Sequence, residues 1–240
     1  MKTKQCVILA GGYGSRLGEI TNKIPKPLLK INKIPFLFYL ILKLKRSGIK
    51  NIIILVWNKS DEFNKIDFKK KFNLNVKIIK EPKKLGTGGS LINSYKYLDK
   101  NFFLVNGDTL FNISLKKLEE YFLKHSQLNL VTACCYNTQK SNKFAYFFDK
   151  KENLINYKIS NYSNKWISGG IYILRRKILK SLKICNIDFD KKIVFSEFKK
   201  SNLGAKKYNN KFIDIGTKKD LIKAKKIIPK IIKKTKYLIQ

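Results

Sequence analysis

The sequence predicts an α/β fold: a Rossmann-like, mostly parallel sheet with helices on both faces, and a small mixed sheet built by the second half. Three observations point there. Short β-branched runs alternate with helix-like stretches as far as residue 136, the rhythm of strand–helix crossovers. The first apolar run opens directly into a loop carrying Gly11, Gly12 and Gly14, so a buried strand gives way to freely turning backbone. Beyond about residue 140 the runs shorten and the spacers become polar, as in strands joined by turns.

Taken in order, strand-like segments cover 6–10, 51–57, 75–80, 102–106 and 128–136. Helical patterns lie at 36–47, stopped by Gly48, at 60–72, with Ser60 as N-cap, at 89–98 and at 114–125. The second half predicts strands at 144–148, 154–159, 167–174 and 211–215. A last helix begins at Thr217, whose spacing to Asp220 resembles a capping box. The basic end, 223–236, is interrupted by Pro229 and reads as a solvated surface segment. Ligands of such sheets collect at the carboxyl ends of strands, where the glycine loop and 106–109 both fall.

Composition narrows the function. With 240 residues, 44% hydrophobic and 12% aromatic, the chain is long enough for a sizeable core in one domain, 1–240. No apolar run approaches a membrane span, and the N-terminal stretch is too short for a signal peptide. Cys6, Cys134, Cys135 and Cys185 have no metal-ligand or redox spacing, so a reduced, cytoplasmic protein with no membrane partner is expected. The net charge of +36 raises the question of nucleic acid. Arginine, the usual reader of bases and phosphates, occurs only at 16, 46, 175 and 176. Lysine spread over every helical face, with abundant asparagine and isoleucine, points to codon bias and solvated surfaces. No specific nucleic-acid partner is expected. The lone histidine, His125, reads as a surface residue near a helix end, and Trp57 and Trp166 as packing residues.

The glycine loop fails two common phosphate patterns. G-x-G-x-x-G from Gly12 needs glycine at 17, where Leu17 stands, and no Gly-Lys-Ser/Thr triplet occurs. The residues alone leave open a plain turn or a phosphate cradle. Arg16 and Lys26, two cations flanking glycine-rich backbone, favour the cradle. On their own, Asp108 stabilises the Asn106-Gly107 turn, Asp214 satisfies amides before Gly216, and Glu81 is a solvated carboxylate beside Pro82.

LAGGYGSRL at 9–17 followed by PKPLL at 25–29 resembles the signature of the sugar-1-phosphate nucleotidyltransferases. Further segments fall in that family's order: Glu81 with LGTGG at 85–89, VNGDT at 105–109, SGGIYIL at 168–174 and FIDIGT at 212–217. The resemblance covers nearly the whole chain and is closest to the short heptose- and mannose-1-phosphate guanylyltransferases. It implies a nucleotide-diphospho-sugar transferase fold, with a nucleotide-binding half at about 1–136 and a sugar-phosphate half at about 137–240. The length leaves no room for the β-helical acyltransferase domain of some relatives. It also implies transfer of a nucleotidyl group from a nucleoside triphosphate to a sugar 1-phosphate, for lipopolysaccharide or capsule precursors. Thymidylyl, cytidylyl or uridylyl transfer, or a silent nucleotide-sugar-binding relative, are the alternatives.

The same resemblance implies the roles. Arg16 and Lys26 are the catalytic cations, and Mg²⁺ is held by Asp108 and Asp214. The nucleotide is bound by Leu9, Gly11, Gly12, Gly14, Gly86 and Gly88. Glu81 faces the base where thymidylyl and uridylyl enzymes resemble one another in having glutamine; a carboxylate only accepts, which suits guanine N1–H and N2–H. Gly169, Gly170 and Lys158 serve the sugar. In that half the chain departs from the family. Phe144-Ala145-Tyr146 replaces a Y-G-V-like strand, and INYKIS at 155–160 replaces a Phe-x-Glu-Lys stretch, leaving Lys158 or Lys165 for the phosphate.

Overall fold

The computed structural model describes residues 1–12 and 14–232; Tyr13 and the last part of the basic end lie outside them. After β1 (Gln5–Leu9) the chain passes the glycine loop and α1 (Ile20–Lys23) to a hairpin, β2 (Lys30–Ile31) and β3 (Ile34–Pro35), then α2 (Phe36–Arg46). β4 (Asn51–Val56) is followed by α3 (Ser60–Asn64), α4 (Phe68–Phe72) and β5 (Asn75–Lys80). α5 (Gly86–Asn93) leads to β6 (Asn101–Asn106), β7 (Thr109–Phe111), α6 (Leu115–Lys124) and β8 (Leu130–Asn137). The second half adds β9 (Lys143–Phe148), β10 (Leu154–Ser160) and β11 (Lys165–Arg175). A π-helical turn at Phe189–Val194 runs into α7 (Phe195–Lys199), before β12 (Leu203–Tyr208), β13 (Phe212–Asp214) and α8 (Lys218–Ile231).

Among the described residues nine strands make one sheet in the order β10-β9-β11-β6-β1-β4-β5, with β8 on β11 and β12 on β8. β1 pairs in parallel with β4 and β6, and β4 with β5, as strand–helix alternation predicts. The strands of the second half do not form a separate layer over the first. β11 joins β6 in antiparallel register, Ile171 opposite Val105, so both halves share one sheet. The small ladder at the mouth is β7 with β13, which sets Asp214 opposite Thr109.

Burial follows the strand period. Cys6 and Ile8 of β1 pack into one cluster with α2 and α6, while Val7 packs into the other with α5 and the turn at 189–194. A strand buried on both faces reads as a continuous apolar run, which is why 6–10 and 51–57 are visible in the sequence. Helix α2 starts after Pro35 and ends at Ser47, with Gly48 at φ +89°. Among the described residues no helix is long and apolar enough to cross a membrane.

Several elements differ from expectation. The helix expected over 60–72 breaks in two, because Asp67 accepts from Lys70 N–H and starts a new helix. Ser60 is not an N-cap: Lys59 turns left-handed there at φ 57°, and Ser60 is the first helical residue. The helix expected from 89 begins at Gly86. The one entered at Thr217 runs on through Pro229, burying Ala224 and Ile228, so that stretch of the basic end is not wholly solvated. Strands β7 and β12 were not expected. Lysine is not confined to the surface either: Lys26, Lys43 and Lys165 are buried. Lys43 Nζ donates to Ile113 O at 2.8 Å, and burial lowers its pKa to about 8.

Candidate active site

A cleft of about 470 Å³ opens at the carboxyl ends of β1, β4, β5 and β6, where the parallel topology predicts a ligand. Its walls include Leu9, Gly11, Gly12 and Gly14 from the first loop, Trp57, Glu81, Gly86, Lys26 and Asp108. Gly107 N–H donates to Leu9 O and Ala10 N–H to Leu55 O, each at 2.9 Å, so the loops leave from fixed strand ends. Two of the glycines are required by position. A Cβ on Gly11 would lie 2.9 Å from Glu81 Oε1, and Gly14 adopts φ +69° against Thr21. Gly12 meets nothing and leaves its backbone open to the cleft.

Lys26 and two carboxylates form the charged centre. The PKP turn buries the lysine and sends Nζ to 2.5 Å from Asp108 Oδ2 and 3.7 Å from Asp214 Oδ1. Asp108 and Asp214, remote in sequence, meet because β13 pairs with β7 and Ile215 N–H donates to Asp108 O at 3.0 Å. Burial and the Asp108 charge push the Asp214 carboxyl up, against the pull of Lys26, Lys143 and Arg16. Arg16 is exposed, and a Cβ on Gly216 would sit 3.3 Å from its Nη2 and 3.0 Å from Asp214 Oδ1. That glycine lets the guanidinium lie beside Asp214.

Among the described residues no group of three His, Cys, Asp or Glu side chains forms an all-protein metal cage. Yet Asp214 Oδ1 is buried without a hydrogen bond, beside a second carboxylate. Two hard oxygen ligands fit a divalent cation whose shell is completed by substrate phosphates and water.

Glu81 follows β5, with its N–H donating to Val56 O at 2.8 Å. It is 5% exposed, and its Oε2 accepts from Leu85 N–H at 3.0 Å. Burial raises its pKa, partly offset by that bond. This is not the solvated glutamate that the residues alone allowed.

Residues 5–231 match the family described as Nucleotidyl transferase. The chain belongs to that family. The D-glycero-alpha-D-manno-heptose 1-phosphate guanylyltransferase of Campylobacter jejuni is 32% identical over 227 residues, 90% of this chain and 96% of that one. Its counterpart from Aneurinibacillus thermoaerophilus is 26% identical over 226 residues, 92% of this chain and 97% of the other. Among solved structures, HddC from Yersinia pseudotuberculosis complexed with GMP-PN superimposes with a TM-score of 0.79 at 28% identity. That match covers 94% of this chain and 99% of HddC.

In this nucleotidyltransferase the cleft does not gather every residue singled out from the sequence. Gly88 packs against Ile187, whose carbonyl takes its N–H at 2.9 Å, while Gly86 and Thr87 line the cleft instead. Gly169 and Gly170 form a bulge in β11 and are buried; Gly170, at φ +69°, lies against Thr109 Oγ1 and Asn106. Packing alone demands glycine at both. Lys158 sits over the Phe147 ring at 5.5 Å in a separate surface hollow with Asn142 and Tyr162. Lys165 is held by the carbonyls of Ser141 and Ser160. His125 bonds Tyr121 O through Nδ1 at 2.8 Å, away from the cleft.

Asn106, within the VNGDT segment, also lines the cleft, as does Trp57, read as packing. Asp188, Phe189 and Asp190 line it too and carry no sequence signal. The stretch from Asn186 to Asp190 matches no motif; it reaches the cleft because Ile187 N–H donates to Leu85 O and Phe189 N–H to Thr87 Oγ1, each at 2.9 Å.

Proposed function

We propose that this nucleotidyltransferase moves a guanylyl group from GTP to the 1-phosphate of a manno-configured heptose or hexose, in the cytoplasm. An oxygen of the sugar phosphate bonds to the α-phosphorus, the bond from that phosphorus to the bridging oxygen of the β-phosphate breaks, and pyrophosphate leaves. The nucleophile is already an anion, so no general base is needed. Positioning and neutralisation of charge supply the catalysis. The observation that carries the reading is the convergence of Lys26, Asp108 and Asp214 beside a glycine-walled cleft.

Lys26 is buried and pinned by Asp108, so its ammonium is already oriented toward reacting phosphates. Arg16, exposed with its guanidinium near Gly216 and Asp214, meets the charge that develops on departing pyrophosphate. Asp108 and Asp214 would hold Mg²⁺, which when bound neutralises phosphate oxygens. Gly11, Gly12 and Gly14 admit the nucleotide close to backbone. The Glu81 carboxylate, beyond the bond its Oε2 accepts from Leu85 N–H, has further lone pairs with which to accept guanine N1–H and N2–H. A pyrimidine imide presents acceptors to that carboxylate and is repelled.

The test is a pyrophosphate-release screen of four nucleoside triphosphates against several sugar 1-phosphates. GTP with heptose or mannose 1-phosphate is expected to give the highest rate, and Glu81→Gln to lower the preference for GTP by about tenfold or more. A wild-type preference for dTTP or CTP would overturn the base assignment.

A further inference from the structure

The cleft runs across the sheet. Glu81 follows β5, Trp57 follows β4, the glycine loop follows β1, and Asn106 and Asp108 follow β6. Next to β6 in the sheet comes β11, and on that side the wall is Asp190, in contact with Tyr172 of β11 and Tyr157 of β10. The Lys26–Asp108 pair therefore lies between two carboxylates, one toward each end of the strand order.

Hydrogen bonds around Asp190 all run one way. Gly170 N–H donates to Ser168 Oγ at 3.1 Å, Ser168 donates to the Tyr172 hydroxyl at 2.7 Å, and Tyr172 donates to Asp190 Oδ1 at 2.9 Å. The Tyr157 hydroxyl lies 3.3 Å from the Asp190 backbone O and 3.5 Å from the same Oδ1. With those protons committed, the wall offers acceptors: among the described residues no donor reaches Asp190 Oδ2. Asp188 adds a second negative charge to this wall, and its Oδ1 takes the Lys191 N–H at 2.9 Å.

Such a wall selects its ligand. Two negative charges repel a phosphate, and an apolar group would strip water from the carboxylate without replacing its bonds. A neutral group bearing neighbouring hydroxyls supplies the missing donors, and hydroxyl-to-carboxylate bonds are short and charge-assisted. The positive charge of Lys143 acts on both Asp190 and Asp214, so cationic field extends from this wall to the Lys26 centre. A ligand with hydroxyls at one end and a phosphate at the other matches that order.

We propose that Asp190 accepts hydrogen bonds from ring hydroxyls of the acceptor sugar and that Tyr172 is its positioning residue; this rests on the reading of the chain as a sugar-1-phosphate guanylyltransferase. The experiment uses the full chain with saturating GTP and Mg²⁺. Kinetics are measured for D-glycero-α-D-manno-heptose 1-phosphate, α-D-mannose 1-phosphate and the monodeoxy forms of the latter. Asp190→Ala is expected to lower kcat/KM for the intact sugar phosphates about 100-fold, with the KM for GTP within about twofold. The wild type's penalty on one particular deoxy sugar should vanish in that variant. Tyr172→Phe keeps the carboxylate but frees it, and should raise the sugar KM about tenfold with little change in kcat. Folding is followed by GTP affinity and melting, and Asp190→Asn replaces the alanine variant if that one fails to fold. Sugar kcat/KM within about threefold of wild type, with the deoxy penalty intact, would overturn Asp190 alone. No pyrophosphate release from GTP with any sugar 1-phosphate in the wild type would overturn the parent reading with it.

Discussion

Replacing Asp190 by asparagine should make the free enzyme more stable at neutral pH, by an amount that depends on pH. Burial lifts this carboxyl from an ordinary 3.8 to about 6, with Asp188 pushing the same way and Tyr172, Tyr157 and Lys143 pulling against it. That displacement corresponds to about 3 kcal/mol of preference for the neutral acid. The native state therefore binds a proton that the unfolded chain has released, over the interval between about pH 4 and pH 6. The favourable contribution is complete below pH ~4 and is lost as pH rises through about 6. Asparagine keeps the acceptor for Tyr172 and removes the titration. The gap in unfolding free energy between variant and wild type should be under about 1 kcal/mol at pH 4 and grow to about 3 kcal/mol at pH 7. Urea denaturation at constant ionic strength across pH 4–8 measures it directly. A gap that stays flat with pH, or a variant less stable at pH 7, would refute the reasoning. A residue that costs stability in the free protein is what a site built to await a ligand predicts.

Asp108→Asn and Asp214→Asn should each lower turnover by about 100-fold while melting near the wild-type temperature, since each swap keeps shape but removes a carboxylate that would hold the phosphate-neutralising cation; rates close to normal at saturating substrate would remove the pair from the mechanism. Arg16→Ala should damage kcat more than Glu81→Ala does, because in the proposed mechanism Arg16 would meet charge formed only in the transition state, whereas Glu81 would contact a base whose bonding hardly changes. Steady-state kinetics in GTP would show the reverse pattern if the two roles are misassigned. Binding to duplex DNA should be measurable at low salt, given a net charge of +36, and should fade near physiological salt without sequence preference. Tight, selective binding at that salt, read by fluorescence anisotropy, would contradict the interpretation of the lysines as solvated surface.

The parallel half of this molecule was legible in its sequence. Strands β1, β4, β5 and β6 are short β-branched runs, most of them buried on both faces, and α2 is an apolar run bounded by Pro35 and Gly48. The glycine loop with Arg16 and Lys26 stood out because glycine and proline punctuate strand ends, where parallel sheets bind ligands; Asp108 and Asp214, which on their own read as turn residues, were marked only by the family resemblance of VNGDT and FIDIGT. What stayed hidden depends on partners distant in the chain. β12, with consecutive lysines at 206 and 207, becomes a strand only through its parallel ladder with β8. The three residues of β7 matter only because β13 closes on them and carries Asp214 to Asp108. Lys158 and Lys165 illustrate the same limit in reverse. Both are lysines in the sugar half, but strand alternation turns one out over Phe147, and backbone carbonyls hold the other in the interior. Asp190 belongs to no motif and reaches the cleft through backbone bonds to the 85–87 loop and through tyrosines on β10 and β11. Local pattern specifies which segments bury which face. Which of many similar lysines and aspartates meet in one cleft is decided by sheet order and strand register, quantities defined only once the chain has closed on itself.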